Sequence, residues 1–254
     1  MMIQNKNEVE TGNILGVSWY NKTDSEFVIT TSEQLFELAK LSEFYDFNRQ
    51  TIKLGADIVI NEGNASEWAE NAPSKKWVPI KEFKGTFDGQ GHTISGLYGK
   101  GFDAPVALFA KTDTSATVQN LKLLNSYFKT AGESGTASFA TYGGGKFLRL
   151  YSDAIIDCEG DHAGGIASHI DAQSTFEECW FDGTINITGR DSGGIVDEIT
   201  KGRVNIKHCL FSGVINSEYA VGAAKIGGLC GNVAKEGTLV LTDSLASGTV
   251  NSKN

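Results

Sequence analysis

Five segments of the chain can be laid under one another: VQNLKLLNSYF from Val118, FLRLYSDAIID from Phe147, FEECWFDGTIN from Phe176, IKHCLFSGVIN from Ile206 and LTDSLASGTVN from Leu241. Their starts are 29, 29, 30 and 35 residues apart. Inside each copy apolar residues alternate with polar ones, the mark of a strand with one buried face. The aligned columns are chemically uniform. One reads Val118, Phe147, Phe176, Ile206, Leu241; a second reads Leu121, Leu150, Cys179, Cys209, Ser244; a third reads Leu123, Ser152, Phe181, Phe211, Ala246; the last apolar one reads Tyr127, Ile156, Ile185, Ile215, Val250. Small-small-apolar triplets follow the first four copies, at Ala137-Ser138-Phe139, Gly164-Gly165-Ile166, Gly193-Gly194-Ile195 and Gly227-Gly228-Leu229, with Val106-Ala107-Leu108 as an earlier example.

A repeat of about 30 residues built from short strands and glycine corners cannot bury its apolar face alone, but stacked copies can. The pattern predicts an all-β fold, a right-handed parallel β-helix of about five or six coils rising by roughly 4.8 Å each. Leucine-rich repeats lack support because no LxxLxLxxN consensus occurs, and helical repeats are excluded by the period of two. Thirty glycines against three prolines fit this reading: many tight corners, few lost backbone donors.

An open coil stack needs covered ends. TTSEQLFELAKLSEF carries Thr31 or Ser32 as an N-cap and Leu35, Leu38, Ala39 and Leu41 on one side, so it reads as a short amphipathic helix. The expected organisation is one structural domain: a helix-plus-strand cap over residues 1–80 merging into coils over 81–254. The last copy is incomplete and no cap follows it, so either a further domain follows, with the natural gene continuing past Asn254, or this end is expected to pair with something.

The net charge of −9 argues against nucleic acid or anionic membrane as partners. No run of about 18 apolar residues is present to insert into a bilayer, and the start MMIQNKNEVETG carries no signal-peptide core. Cys158, Cys179, Cys209 and Cys230 have no CxxC spacing, so no zinc site is expected, and neither is any other metal site or cofactor. They read as free buried thiols. Cys179 and Cys209 share a column and would stack, a bridge between them being the alternative.

Several residues are candidates for chemistry. EFKGTFDGQGHTISGL places Asp88 near His92, though its phenylalanines Phe83 and Phe87 and the later Ile94 and Leu97 read as core and its glycines as corners. Asp157, Glu159, Asp161 and His162 form an acidic stretch. Asp153 and Asp182 share an outward column one coil apart, like a catalytic carboxylate pair, with only Lys122 and Arg149 as basic neighbours. The column Asp157, Asn186, Asn216, Asn251 reads as a structural ladder at a coil corner. Trp180, between inward Cys179 and Phe181, should point outward in the column Lys122, Tyr151, Trp180, Leu210, Leu245. An outward ladder of this kind can stack on sugar rings or anchor a partner, unless a loop such as Ser217 to Ile226 covers it.

FKGTFDGQGHTISGL leading to VALFA, VQNLKLLN, GGIAS, GGIVD and GGLCGNV, preceded by TSEQLFELAK, IKLGADIVI and WVPI, resembles bacterial cell-surface proteins with GLUG-type repeats over roughly residues 28–250. The stretch at Ser134 to Tyr142 departs by lacking paired glycines, and Ala223-Ala224-Lys225 lengthens a later coil. The resemblance implies an extracellular or cell-surface module of a larger adhesin-like or peptidase-containing chain. The outward column itself, rather than the resemblance, supports a non-catalytic role in adhesion, spacing or display, with a glycan or a host or bacterial surface protein bound through Trp180, Tyr151 and Leu210. The alternative is a carbohydrate-active β-helix enzyme, lyase or hydrolase, using Asp153 and Asp182.

Overall fold

The structure is a computed structural model that describes residues 16–102, 104–132, 134–219 and 224–252. Ala223 of the lengthened coil, part of the Ser217 to Ile226 loop and the start MMIQNKNEVETG lie outside those residues.

The copies stack as parallel rungs. In the longest sheet the strands Glu26–Ile29, Thr51–Leu54, Thr86–Asp88, Thr117–Leu124, Ala140–Ser152, Ala167–Glu177, Val196–Lys207 and Cys230–Thr242 follow one another in sequence order. A second face carries Tyr98–Gly101, Tyr127–Thr130, Ile155–Cys158, Thr184–Ile187, Val214–Ser217 and Thr249–Ser252. A third, narrow face carries Thr136–Ala137, His162–Gly164, Asp191–Gly193 and Lys225–Gly227. The result is a parallel β-solenoid of about seven turns with a single α-helix among the described residues. The expected five or six coils fall short because Glu26–Ile29 and Thr51–Leu54 pair in register as rungs of the same sheet. Neither carries the glycine corner by which the later copies are recognised.

Helix Ser32–Leu41 is set by a capping box. The Thr31 side chain accepts from the Gln34 N–H, and the Gln34 side chain accepts from the Thr31 N–H. Leu35, Leu38, Ala39 and Leu41 are buried on its inner side and close the stack at that end.

The core is built from ladders along the axis. Phe27, Ile52, Phe87, Val118, Phe147, Phe176, Ile206 and Leu241 are consecutive partners. Phe147 and Phe176 stack at 4.7 Å with rings 3° from parallel, and Phe181 lies over Phe211 with rings 8° from parallel. Phe83, Phe87, Ile94 and Leu97 are all fully buried. At the last rung, Leu241 has no following neighbour among the described residues and is 51% exposed.

One column is corrected by the register. Ile156 pairs with Phe128, not Tyr127, and Tyr127 pairs with Ile155. Three residues, Leu124 to Ser126, separate Leu123 from Tyr127, whereas only Asp153 and Ala154 separate Ser152 from Ile155. Asn125 absorbs the extra residue with a left-handed φ of 44°. Phe128 therefore enters the main core, and Tyr127 turns to a side cluster with Ala65, Trp68 and Tyr98.

The asparagine column is a continuous amide ladder. The Asn186 amide donates to Asp157 at 2.7 Å, Asn216 to Asn186 at 2.8 Å and Asn251 to Asn216 at 2.8 Å. It runs along the second sheet rather than a corner. The left-handed residues instead form their own column, Asn120, Arg149, Glu178, His208 and Asp243, where each long strand bends.

Candidate functional site

Strand alternation turns Trp180 out of the core, as its neighbours Cys179 and Phe181 are buried. Trp180 pairs with Tyr151 on one side and Leu210 on the other, and Leu210 with Leu245. The indole is 41% exposed. Tyr151 meets it edge-on, ring centres 4.9 Å apart at 76°. The indole N–H donates to Ser212 Oγ at 2.6 Å, and the Ser212 hydroxyl donates to Asp182 at 2.6 Å. Trp180 is thus held upright by polar contacts while its face stays open.

In front of this ladder lies an open groove of about 590 Å³, lined among others by Gln90, Asn120, Lys122, Arg149, Tyr151 and Trp180. Its polar wall comes from the bend, where Gln90, Asn120 and Arg149 adopt φ of 53°, 53° and 54° and present their side chains outward. Arg149 Nε donates to Asn120 at 2.6 Å. An aromatic wall facing amide, ammonium and guanidinium donors can hold a ligand with an apolar face and hydroxyl or carboxylate edges.

The two candidate carboxylates both have structural partners. Asp182 anchors Ser212, and Asp153 accepts the Asn125 backbone N–H at 2.7 Å. Burial raises the Asp153 carboxyl above its usual range, with the nearby Asp182 charge adding to it. A carboxyl raised on folding favours the folded state below the ordinary Asp pKa of about 3.9, and this contribution is lost as pH rises through the folded value. Asp153→Asn keeps an oxygen for the Asn125 N–H without the charge. It should therefore raise the melting temperature relative to wild type at neutral pH, with the gain vanishing at pH 3. A gain of equal size at pH 3 and pH 7 would show that the charge is irrelevant.

Asp88 and His92 do not meet. Burial would push the Asp88 carboxyl up, but hydrogen bonds from Asn120, the Gln90 N–H and Gln119 hold it below its usual range. His92 Nδ1 lies 3.2 Å from Asp57, which also accepts the Thr93 N–H. Both residues fasten the first glycine coil to its neighbours. The cysteines are free; Cys179 and Cys209 donate to the carbonyls of Phe147 and Phe176. Burial pushes the Cys179 thiol well above its usual range, so it is a core group rather than a nucleophile.

A second polar cluster sits at the paired-glycine corner. His162 Nδ1 lies 3.1 Å from Asp197 Oδ2, and the His162 and His169 rings are 4.1 Å apart. Burial pushes the Asp197 carboxyl up to about 7, and burial with the neighbouring His162 charge lowers His169 to about 4. Of this group only His162 stands out in the sequence. The legible signal is one of frame: His162 and His169 flank Gly164-Gly165-Ile166 as Asp191 and Glu198 flank the next triplet.

No family model matches the chain. It is 25% identical over 182 residues to halomucin of Haloquadratum walsbyi, an alignment that takes in 69% of this chain and 2% of halomucin. Among solved structures, a Bacteroides ovatus protein provisionally named an immunoglobulin A1 protease aligns with a TM-score of 0.49 at 16% identity, over 91% of this chain and 85% of that one.

Proposed function

We propose that this chain is a non-catalytic extracellular module of the GLUG-repeat kind, adhesive or display in type, that binds a glycan along the Tyr151–Trp180–Leu210 ladder. The observation that carries the reading is the indole of Trp180, open to solvent yet fixed by Ser212 and Asp182 beside a groove with Lys122 and Arg149. A side chain ordered in this way loses little entropy on stacking against a sugar ring. Lys122 and Arg149 outnumber the one carboxylate that lines the groove, Glu178, and favour glycans that carry carboxylates. Similarity to a protein named halomucin fits an extracellular setting, as does a solenoid that can serve as a spacer.

A glycan array and a panel of polyuronates test the reading. Trp180→Ala should abolish binding while costing about 1 kcal/mol or less of stability, because the ring is largely outside the core. A larger stability loss would mean that the ring is a packing element. The placement of Asp153 and Asp182 on adjacent coils keeps one alternative, a lyase or hydrolase. Polyuronate turnover that Asp182→Asn abolishes would replace the binding reading with that one.

A further inference from the structure

Three successive coils pass through the paired-glycine corner in one frame. His162 pairs with Asp191 and Asp191 with Lys225 on the incoming limb. His169 pairs with Glu198 and Glu198 with Asn232 on the outgoing limb. The corner is sharp enough that a Cβ on Gly164 would lie 1.8 Å from the Ala167 carbonyl oxygen. The limbs therefore run side by side, and residues seven apart in sequence face each other. This fold-back, repeated one coil on, gathers two imidazoles and two carboxylates from His162, His169, Asp197 and Glu198.

The cluster is polar beyond what its own contacts satisfy. The Asp197 side chain is wholly buried, and its Oδ1 has no hydrogen-bond partner among the described residues. Asp191 Oδ1 and Ser192 Oγ, in the same coil, are likewise buried without a partner. Unpartnered buried oxygens are costly, and one explanation for several together is an ion or an ordered water.

We infer that this corner binds a divalent transition-metal ion of the zinc type, with His162, His169 and Asp197 as its ligands. One donor atom from each of the three lies within 4.8 Å of the others, so small side-chain movements close them around one ion. Two imidazoles and a carboxylate suit zinc and its first-row neighbours, whereas calcium and magnesium take all-oxygen sets. The surroundings complete the arrangement. Glu198 Oε2 lies 3.6 Å from His169 Nε2, and Glu198 Oε1 accepts the Asn232 amide at 2.6 Å. A carboxylate fixed against the outer ring nitrogen is the usual support of a metal-bound histidine. It leaves Nδ1 of His169 for the ion, at the expense of a 3.4 Å contact with Ser168 Oγ. Tyr142 stacks on the same imidazole at 5.1 Å and 21°, limiting its rotation. A cation also offsets the charge that burial penalises on Asp197.

The test uses the tag-free 254-residue chain, stripped of metal with a chelator and titrated with Co²⁺ and then Zn²⁺. One equivalent of Co²⁺ should bind with visible d–d absorption, and Zn²⁺ should displace it and raise the melting temperature. His169→Gln and Asp197→Asn should each weaken binding by about 100-fold or more, and Glu198→Gln by roughly 10–100-fold. His208→Gln, at the opposite bend, and Trp180→Ala should leave binding unchanged, which separates this site from the glycan groove. If Asp197→Asn does not fold, His169→Gln and Glu198→Gln decide the outcome, because both side chains are partly exposed at the rim. Absence of stoichiometric binding to the wild-type chain, or binding that survives in the His162→Gln/His169→Gln double variant, overturns the assignment.

Discussion

Phe176→Ala should destabilise the solenoid by about 3–5 kcal/mol, the cost of removing a buried aromatic ring and leaving a cavity. Phe176 is fully buried, stacked on Phe147 at 4.7 Å and followed in its ladder by Ile206. In a coil stack, stability is close to a sum of coil terms and nearest-neighbour interfaces. A middle rung contributes to two interfaces, so the alanine removes contacts on both sides at once. The same ladder supplies a control: Leu241 ends it and is 51% exposed. Leu241→Ala should therefore cost about 1 kcal/mol or less. Urea unfolding read by circular dichroism measures both. Equal shifts in midpoint would mean that the ladder is not the unit of cohesion.

Gly194→Ala should cost at least about 3 kcal/mol, at the upper end of overpacking effects. Its added Cβ would lie 2.1 Å from the Gly228 carbonyl oxygen and 2.4 Å from Phe211 Cδ2. Turning Phe211 aside relieves only one of these contacts. The other is with the backbone of the next coil, which is held in place by the bond from the Gly194 N–H to Gly227 at 3.0 Å. Gly91 provides the comparison, because it has a φ of +83° and nothing within 4 Å of an added Cβ. Gly91→Ala strains only the backbone and should cost about 1–2 kcal/mol. The expected order, Gly194 well above Gly91, distinguishes close approach between coils from conformational need. The reverse order would show that coil spacing at the corner is softer than its geometry suggests.

The parts of this fold that were readable from sequence are those in which a ladder demands like residues. Phe147 over Phe176 and Phe181 over Phe211 repeat because each ring needs an apolar neighbour one coil away. Alternation alone was enough to turn Trp180 outward. The Tyr127 register departs from the repeat because a left-handed Asn125 adds a residue without any glycine to announce it. The first rungs, at Phe27 and Ile52, went unrecognised for want of a corner motif. The left-handed column was equally hidden, since Asn120, Arg149, Glu178, His208 and Asp243 share a backbone conformation and no side-chain chemistry. Asp197 and His162 lie on opposite limbs of successive coils and meet only because the glycine corner doubles the chain back. No spacing rule within one copy could have joined them.

The amide ladder gives the stack a direction. Every asparagine in it sends its N–H toward the preceding coil, and Asn186 and Asn216 turn their oxygens to the following one. Asp157, an acceptor only, takes the Asn186 amide on one oxygen and the Tyr127 hydroxyl on the other, so the row has a fixed head. An aspartate placed further along would have no N–H to pass backward, and two acceptors would face each other. Duplicating an asparagine-bearing coil leaves the row intact, whereas duplicating the coil that holds Asp157 breaks it. A hydrogen-bond row no wider than one side chain therefore determines which coils of this solenoid can multiply without loss of register.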